Sequence, residues 1–592
     1  MLTKVTDGSG RYVHLSGYSG GQPSEIKNGT YDVGIEYNIH GWLTKYTPGN
    51  TYGGSNLGWR YEYDGAGRAV TQIPPLSSQN STTIAYGTSA AASRTKRVTR
   101  GSAWTETWFD DIGRATGTKD STTAQTQTLY DEMARVTRTS LPYSLTVGTD
   151  SSFDSADDSW FKYLYDPLGR LTKTETRTGT PSGGTLLASS RVEYDTGHVH
   201  AYDQRDHEQR TYFKEFGAPG DGRMTQVKDV EPGGTDLYYF YDYNDQGSLT
   251  RNQENGTSDY RSYVYDNRGN LLTKEVNFET GNYFRYWYDG AGRLTERQDD
   301  RMGATHTTFL YDGVGRRTKI DYGLGSGEDA TFVYDKNNNV TKMSSANGGT
   351  KTYTVDDADR MNQQVFSYGS YNWTSEYEYS ANDKLTLSKY PWTGTVTTDR
   401  SLLGYSFDPN DRLTYIDDTS SAREGYLNDF KYNPGNFPRS AIFRATNQFG
   451  SDHDAAYLSW LYDNRHRLTQ MVACPTSSSC AGTGGSQLAE LDYMYDAESN
   501  ITSYRRYANG GVSTDETKQL EYDAFHRLTK SYRTWTGGNN ETTTYEYNPH
   551  DDRTKMVVTN SATTTTQLSL CDRRESPSHH EDDQWIRRRI HI

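Results

Sequence analysis

A serine set among glycines is the first residue in the chain that could do covalent chemistry. Gly17-Tyr18-Ser19-Gly20-Gly21 fits the G-x-S-x-G pattern of a serine hydrolase. That elbow needs a strand before the serine and a helix after it; neither pattern is visible, and in a chain this rich in Gly and Ser the match reads as chance. His198, His200 and His207, with Asp203 and Asp206, are of metal-ligating types. H-x-H on a strand would place both imidazoles on one face, but no third ligand stands at a fixed spacing, so the segment reads as a solvated loop. His579, His580, Glu581, Asp582 and Asp583 add nothing firmer. No D-x-[DN]-x-[DN]-G loop suggests calcium, Walker and Rossmann glycine loops are absent, and a paired-carboxylate site cannot be located from sequence. The expectation is a protein that is not an enzyme, with no cofactor and no metal.

Composition narrows the partners. The net charge is −15 and no basic stripe is present, which argues against nucleic acid held through its phosphates; the cluster Arg587, Arg588, Arg589 sits at the extreme C-terminus. No apolar run approaches the roughly 18 residues that span a bilayer, and the first 20 residues carry no hydrophobic signal core. Three cysteines are too few for a disulfide scaffold, although Cys474 and Cys480 flank PTSSS and could close a small loop in an oxidising compartment. Asn-x-Ser/Thr triplets at Asn28, Asn80, Asn255, Asn339, Asn372, Asn500 and Asn540 read as fortuitous. Mean hydropathy is −0.93, a value typical of disorder. Against that stand 49 Tyr, 17 Phe and 11 Trp, with 56 Gly, the composition of Tyr-rich β-structure.

The element that carries these residues is a repeat. Copies include YEYDGAGR from Tyr61, YLYDPLGRLT from Tyr163, YVYDNRGNLL from Tyr263, YWYDGAGRLT from Tyr286 and FLYDGVGRRT from Phe309. The anchor tyrosine recurs at Tyr265, Tyr288, Tyr311 and Tyr334, every 23 residues. In all there are 17 clear copies and a divergent one at Tyr37-Asn-Ile-His-Gly-Trp-Leu-Thr44.

Each copy reads as a β-hairpin. Aromatic-x-aromatic puts two rings on one face of a strand, and the following Asp or Asn accepts backbone hydrogen bonds that start a turn. Three residues later a type I turn closed by a G1 bulge requires φ > 0. The turn pairs Asp64/Gly67, Asp166/Gly169, Asp266/Gly269, Asp289/Gly292 and Asp312/Gly315 show the pattern most plainly. Across the 17 copies that column holds Gly, Asn, Asp or His, the residues that tolerate the left-handed region, except at Ala134 and Ser499. A fold that is all β follows, with tandem hairpins forming one long repeat strip of sheet.

At these residues the chain resembles the YD-repeat, or Rhs-repeat, family, which includes bacterial Rhs polymorphic toxins, wall-associated proteins, toxin-complex subunits and teneurins. The resemblance covers roughly residues 31–556, with 1–30 as an N-terminal segment and 557–592 as a short atypical tail. It implies that the strip is a long spiralling sheet, here a partial β-shell, of the hollow kind that encloses a toxic C-terminal domain, exported or displayed at the cell surface. Rhs-type shells end in a DPxGxxD autoprotease motif; Asp166-Pro-Leu-Gly-Arg-Leu-Thr172 lacks the final Asp and lies within an ordinary repeat, so it reads as a turn. Few residues follow the last repeat and their text changes character beyond about Thr566, as a shifted frame or unrelated extension would produce. The chain is thus expected to be a non-catalytic scaffold for an encapsulated toxin domain absent from it. The alternative is a wall-associated module whose Trp373, Trp392 and Trp535 bind surface glycan or protein. Nothing in the sequence matches the plugs that seal such shells, so the sheet ends are expected to stay open or self-associate.

Overall fold

The computed structural model describes residues 4–569 apart from 8–11, 19–20, 29–30, 49–57, 89–93, 145–158, 180–183, 215–221, 231–235, 255–259, 277–282, 301–302, 304, 325–328, 392–401, 419–426, 447–451, 476–486, 509–512, 524, 536–539, 548–552 and 561–564. Among them are 47 strands, numbered in chain order from β1 (Lys4–Thr6) to β47 (Thr565–Ser569), and no α-helix. Nearly every strand pairs antiparallel with the next, and all join one sheet. Among the described residues no pairing returns β47 to β1, so the strip is not closed through backbone hydrogen bonds.

The turn column behaves as the spacing requires. Gly67, Gly169, Gly269, Gly292 and Gly315 all have φ between 79 and 92°. Asn338, Asp359, Asp383, Asp411, Asn436, His466 and His526 sit in the same region, at φ 58 to 71°. So do the two apparent exceptions, Ala134 at 63° and Ser499 at 72°. Turn geometry overrides residue preference there. The acid's backbone N–H donates to the carbonyl four residues on, and its own carbonyl accepts from the αL residue, as in Asp131 to Arg135 (2.9 Å) and Ala134 to Asp131 (3.0 Å). The ladder then shifts register one residue before the Asp, as between Leu164 and Tyr165, which is the bulge. Asp551 lies outside the described residues.

Gly292→Val isolates the backbone cost. A Cβ at Gly292 would approach nothing closer than Asn270 Oδ1, at 3.6 Å, so the space is open and the penalty is strain alone. A β-branched residue forced to φ +79° should cost at least about 1 kcal/mol, whereas Gly292→Asn should cost clearly less. Hydrogen exchange at the Tyr288 hairpin checks this; equal protection in the two variants would show that the turn is not αL.

Fully buried apolar side chains are few. Trp160 and Tyr143 form a local core at 2% and 7% exposure. They stand where the sheet forks: β12 (Ala124–Tyr130) pairs its first residues with β14 (Tyr143–Ser144) and its last with β13 (Val136–Ser140). β13 in turn pairs with β15 (Ser159–Tyr165), which carries Trp160. Elsewhere the faces are lined by half-buried Tyr and Thr, so a single sheet is held chiefly by its ladders and by the contacts of its turns.

Candidate functional site

The repeated residues build a latch between neighbouring hairpins. In the Asp166 turn, Oδ1 accepts the backbone N–H groups of Leu168 and Arg170, both at 2.9 Å, and Oδ2 accepts Arg170 Nε at 2.6 Å. The oriented guanidinium lies 4.3 Å over the ring of Tyr194 in the next hairpin, whose hydroxyl donates to Leu171 O at 2.9 Å. The same triad recurs at Asp110-Arg114-Tyr130, Asp131-Arg135-Tyr165, Asp312-Arg316-Tyr334, Asp356-Arg360-Tyr379 and Asp463-Arg467-Tyr495. The signature therefore encodes a join: Asp aims Arg, Arg stacks on the next Tyr, and Tyr ties back to the strand that leaves the first turn.

These turn carboxylates resist acid. Burial pushes Asp166 up, but the backbone amide and guanidinium of Arg170 outweigh it and hold the group below the ordinary carboxylate range; Asp110, Asp131 and Asp312 are lowered in the same way. A lowered folded value contributes stability that is full above the unfolded carboxylate value, near 3.9, and is lost as pH falls through the folded one. The strand circular dichroism should thus hold from pH 7 down to about 4 and decline only below; a transition centred near pH 6 would contradict the assignment.

A second set of contacts joins hairpins remote in sequence, through residues 261 to 321 positions apart. Asn80 N–H donates to Ala381 O at 2.8 Å, and Asn80 Nδ2 to Asn382 Oδ1 at 2.8 Å. Asp383 accepts Gln79 Nε2 at 2.7 Å and pairs with Arg100, while also accepting Arg360 Nη1 of the neighbouring turn at 2.7 Å. Further along, Asn410 meets Thr122, Asn464 meets Thr178, Arg465 meets Gln204, and Arg205 reaches Asp523 O. Near the N-terminus Arg293 pairs with Asp7 at 3.1 Å. Each join sets a YD turn of the second half of the chain on a connection from the opposite strand ends of the first half. The strip is therefore wound so that its second half sits edge-on against its first. The YD turns at Asp110, Asp131 and Asp166 are outside this seam: Ile112, Met133 and Leu168, two residues past these acids, are 73%, 67% and 78% exposed.

The histidine segment differs from the expected loop. His198 and His200 lie on β18 (His198–Tyr202), between β17 (Thr185–Asp195) and β19 (Glu208–Phe213). Asp203 is the acid of a YD-type turn, with Asp206 at φ 68° and His207 at the Arg position. His198, His200, Asp203 and His207 are half-buried hairpin residues rather than a solvated loop, with Asp206 exposed at the turn; a return strand that opens on His207-Glu208-Gln209 in place of Arg-Leu-Thr hid the copy. Of the five candidates His198 and His200 come together and are joined by Asp195, while Asp203 faces His526 and Glu498 across the seam. Asp195 is not among the residues the H-x-H pattern points to; Tyr194-Asp195-Thr-Gly, a YD pair with a shortened turn, is the signal in the sequence.

Other candidates fall apart. Gly17 and Tyr18 lie between β2 (Tyr12–Ser16) and β3 (Glu25–Asn28), with no helix following among the described residues, and Ser19 and Gly20 lie outside them. Cys474 is fully buried and disulfide-bonded; Cys480 and Cys571 are both outside the described residues, as are Trp392 and the residues from 570 onward, including His579, His580, Glu581, Asp582 and Asp583.

Comparison with known proteins agrees with this geometry. Residues 118–366 match the family model described as Teneurin YD-shell. Three solved structures share the fold. TcdB2-TccC3 without its hypervariable C-terminal region superposes with a TM-score of 0.71 at 12% identity, over 95% of this chain and 35% of that one. TcdB2-TccC3-TEV gives 0.68 at 11%, over 94% and 36%. The Photorhabdus luminescens Tc holotoxin pore gives 0.66 at 12%, over 96% and 34%. The chain thus spans about a third of the length of these structures. No curated protein matches.

Proposed function

We propose, from the YD-repeat shell fold of this chain, that it is a non-catalytic wall segment of a larger shell that confines a C-terminal toxin domain, from an exported Rhs-type bacterial protein. The seam is the observation that carries this reading. A strip that only displayed its faces would have no need to bring turns such as Asp383 against loops some 300 positions away, as in the Gln79 bond. The exposed apolar row of Ile112, Met133 and Leu168 leaves an edge of the same kind on which further wall could seat. A disulfide at Cys474 favours an oxidising destination. An unstructured, protease-sensitive reporter fused to the C-terminus tests confinement. It should be digested several-fold more slowly than the free reporter, and the advantage should vanish when the seam is broken by Asp383→Asn. Equal digestion rates for fused and free reporter would sink the reading.

One cluster favours the second reading, a glycan-binding module. Trp373 stacks against Phe366 at 5.4 Å and Tyr371 at 5.7 Å. Tyr368 and Tyr371 beside it are 52% and 60% exposed. Rings presented in this way stack on sugar faces. Retention on a cell-wall polysaccharide that Trp373→Ala abolishes would establish that role, and no retention would dismiss it.

A further inference from the structure

At the β17–β18 hairpin the turn acid is released from turn duty. In the ordinary copies the Asp carboxylate caps its own turn and orients Arg, as Asp166 does. Tyr194-Asp195 keeps the tyrosine half of the latch, through Leu171 O and Arg170. Its turn, however, is shortened to Thr196-Gly197, with Gly197 at φ 81° and Asp195 paired directly with His198. No Arg stands four residues on; Val199 does. Asp195 Oδ2 faces the two histidines instead, 3.5 Å from His198 Nε2 and 3.2 Å from His200 Nε2.

Both imidazoles are fixed through their other nitrogen. His198 Nδ1 lies 3.3 Å from Thr196 O, and His200 Nδ1 lies 2.5 Å from Glu208 Oε1. Those acceptors take the proton on Nδ1, so the Nε2 atoms that face Asp195 are the ones available to a metal. A carboxylate or carbonyl behind each histidine is the usual support of a metal-bound imidazole. Glu208 is itself held by Arg210, Nε to Oε1 at 2.6 Å, and His198 is stacked on Tyr212 at 5.2 Å. The two separations from Asp195 fit an ion as well, and all three ligand atoms lie within 4.8 Å of one another. Zinc bonds of about 2.0–2.2 Å at a tetrahedral angle put two ligand atoms about 3.4 Å apart, between the two values observed.

We propose that Asp195, His198 and His200 form a binding site for one divalent transition-metal ion of the zinc class, with Glu208 as a positioning residue behind His200. Two imidazoles and one carboxylate occupy three positions of a tetrahedron and leave the fourth to solvent, on the exposed Asp195 side. A hard ion such as calcium is disfavoured, because two of the three ligands are nitrogen. Bound metal would clip the hairpin end where the ordinary Asp-Arg brace is missing.

The test is titration of the tag-free, metal-depleted full chain with Co²⁺ at neutral pH, read by its visible d–d absorption and by calorimetry, followed by displacement with Zn²⁺. One ion per chain is expected, with tetrahedral band intensity that Zn²⁺ abolishes. His198→Ala with His200→Ala should remove the signal, and Asp195→Asn should weaken binding at least tenfold. Glu208→Gln should weaken it about 10- to 100-fold, as second-shell changes do, without altering stoichiometry. His526→Ala, in the seam cluster with Asp203 and Glu498, should leave it unchanged. Circular dichroism confirms that each variant is folded. Absence of saturable uptake, or full uptake by the folded double-histidine variant, would overturn the proposal.

Discussion

Trp160→Ala is expected to loosen the fork of the sheet by about 3–5 kcal/mol, the range for truncating a buried tryptophan. Trp160 is 2% exposed and packs with Tyr143, the Arg138 guanidinium lies 5.0 Å over its ring, and its Nε1 donates to Gly179 O at 3.0 Å. Truncation removes the ring and leaves that carbonyl without its donor, and in a single sheet few neighbours can collapse into the space. Hydrogen exchange is the right readout, since repeat arrays lose stability locally. Amides of β13, β15 and β16 (Leu171–Thr178) should exchange about 150- to 5,000-fold faster at 1.4 kcal/mol per tenfold, while those of β32 (Met361–Tyr368) and β33 (Tyr371–Tyr379) stay unchanged. Trp160→Phe should recover most of the protection. Unchanged exchange at β15 would mean that the fork is not held by this ring.

Asp383→Asn carries the second large effect, because one carboxylate serves three partners. Its side chain is 28% exposed and gathers Arg100, Arg360 and Gln79 onto the seam. Burial pushes its pKa up, yet Arg100 and Gln79, with Arg360, hold it below the ordinary value; the group is charged in the fold and the two guanidiniums depend on it. Hydrogen bonds to a charged group contribute about 1.5–3 kcal/mol. Asn keeps the αL conformation at φ 63°, so the loss reports on the seam and not on the turn. The Asn80 amide, bonded to Ala381 O at 2.8 Å, should exchange about 10- to 100-fold faster. The Ser380 turn, capped by its own Oγ on Asn382 and Lys384, should keep its protection. Parallel loosening of both would show that the substitution damaged the hairpin.

The hairpins were legible because each one is local. Asp, two residues and an αL-tolerant residue determine a turn without help from the rest of the chain, and the column at Gly67, Asn338 or His466 displays that demand directly. Ala134 and Ser499 misled for the opposite reason. There the turn acids Asp131 and Asp496 and their i+4 partners Arg135 and Asn500 enforce a conformation the residue does not favour. The Asp203 turn keeps the spacing but lacks the Arg-Leu-Thr that opens the return strand elsewhere, and the Asp195 turn is shortened to a two-residue loop, so neither stood out as a copy. The seam was not legible at all. Whether Asn80 meets Asn382 depends on curvature accumulated over many strands, a property of sheet twist that no single repeat encodes. The same holds for His198 and His200: H-x-H was visible, but its third member lay across a turn not recognised as one.

The central claim, a strip wound on itself through its YD turns, is tested most directly by small-angle scattering of the monomer in dilute solution. Its 47 strands, laid side by side at about 4.8 Å, would make an unrolled strip about 220 Å long, with a radius of gyration near 60 Å. Winding that seats the second half on the first should bring the value to about 30 Å, slightly above the roughly 25 Å of a solid domain of this length. A radius near 30 Å that rises in Asp383→Asn is the predicted result. A radius near 60 Å in the unmodified monomer would contradict the seam, and with it the shell.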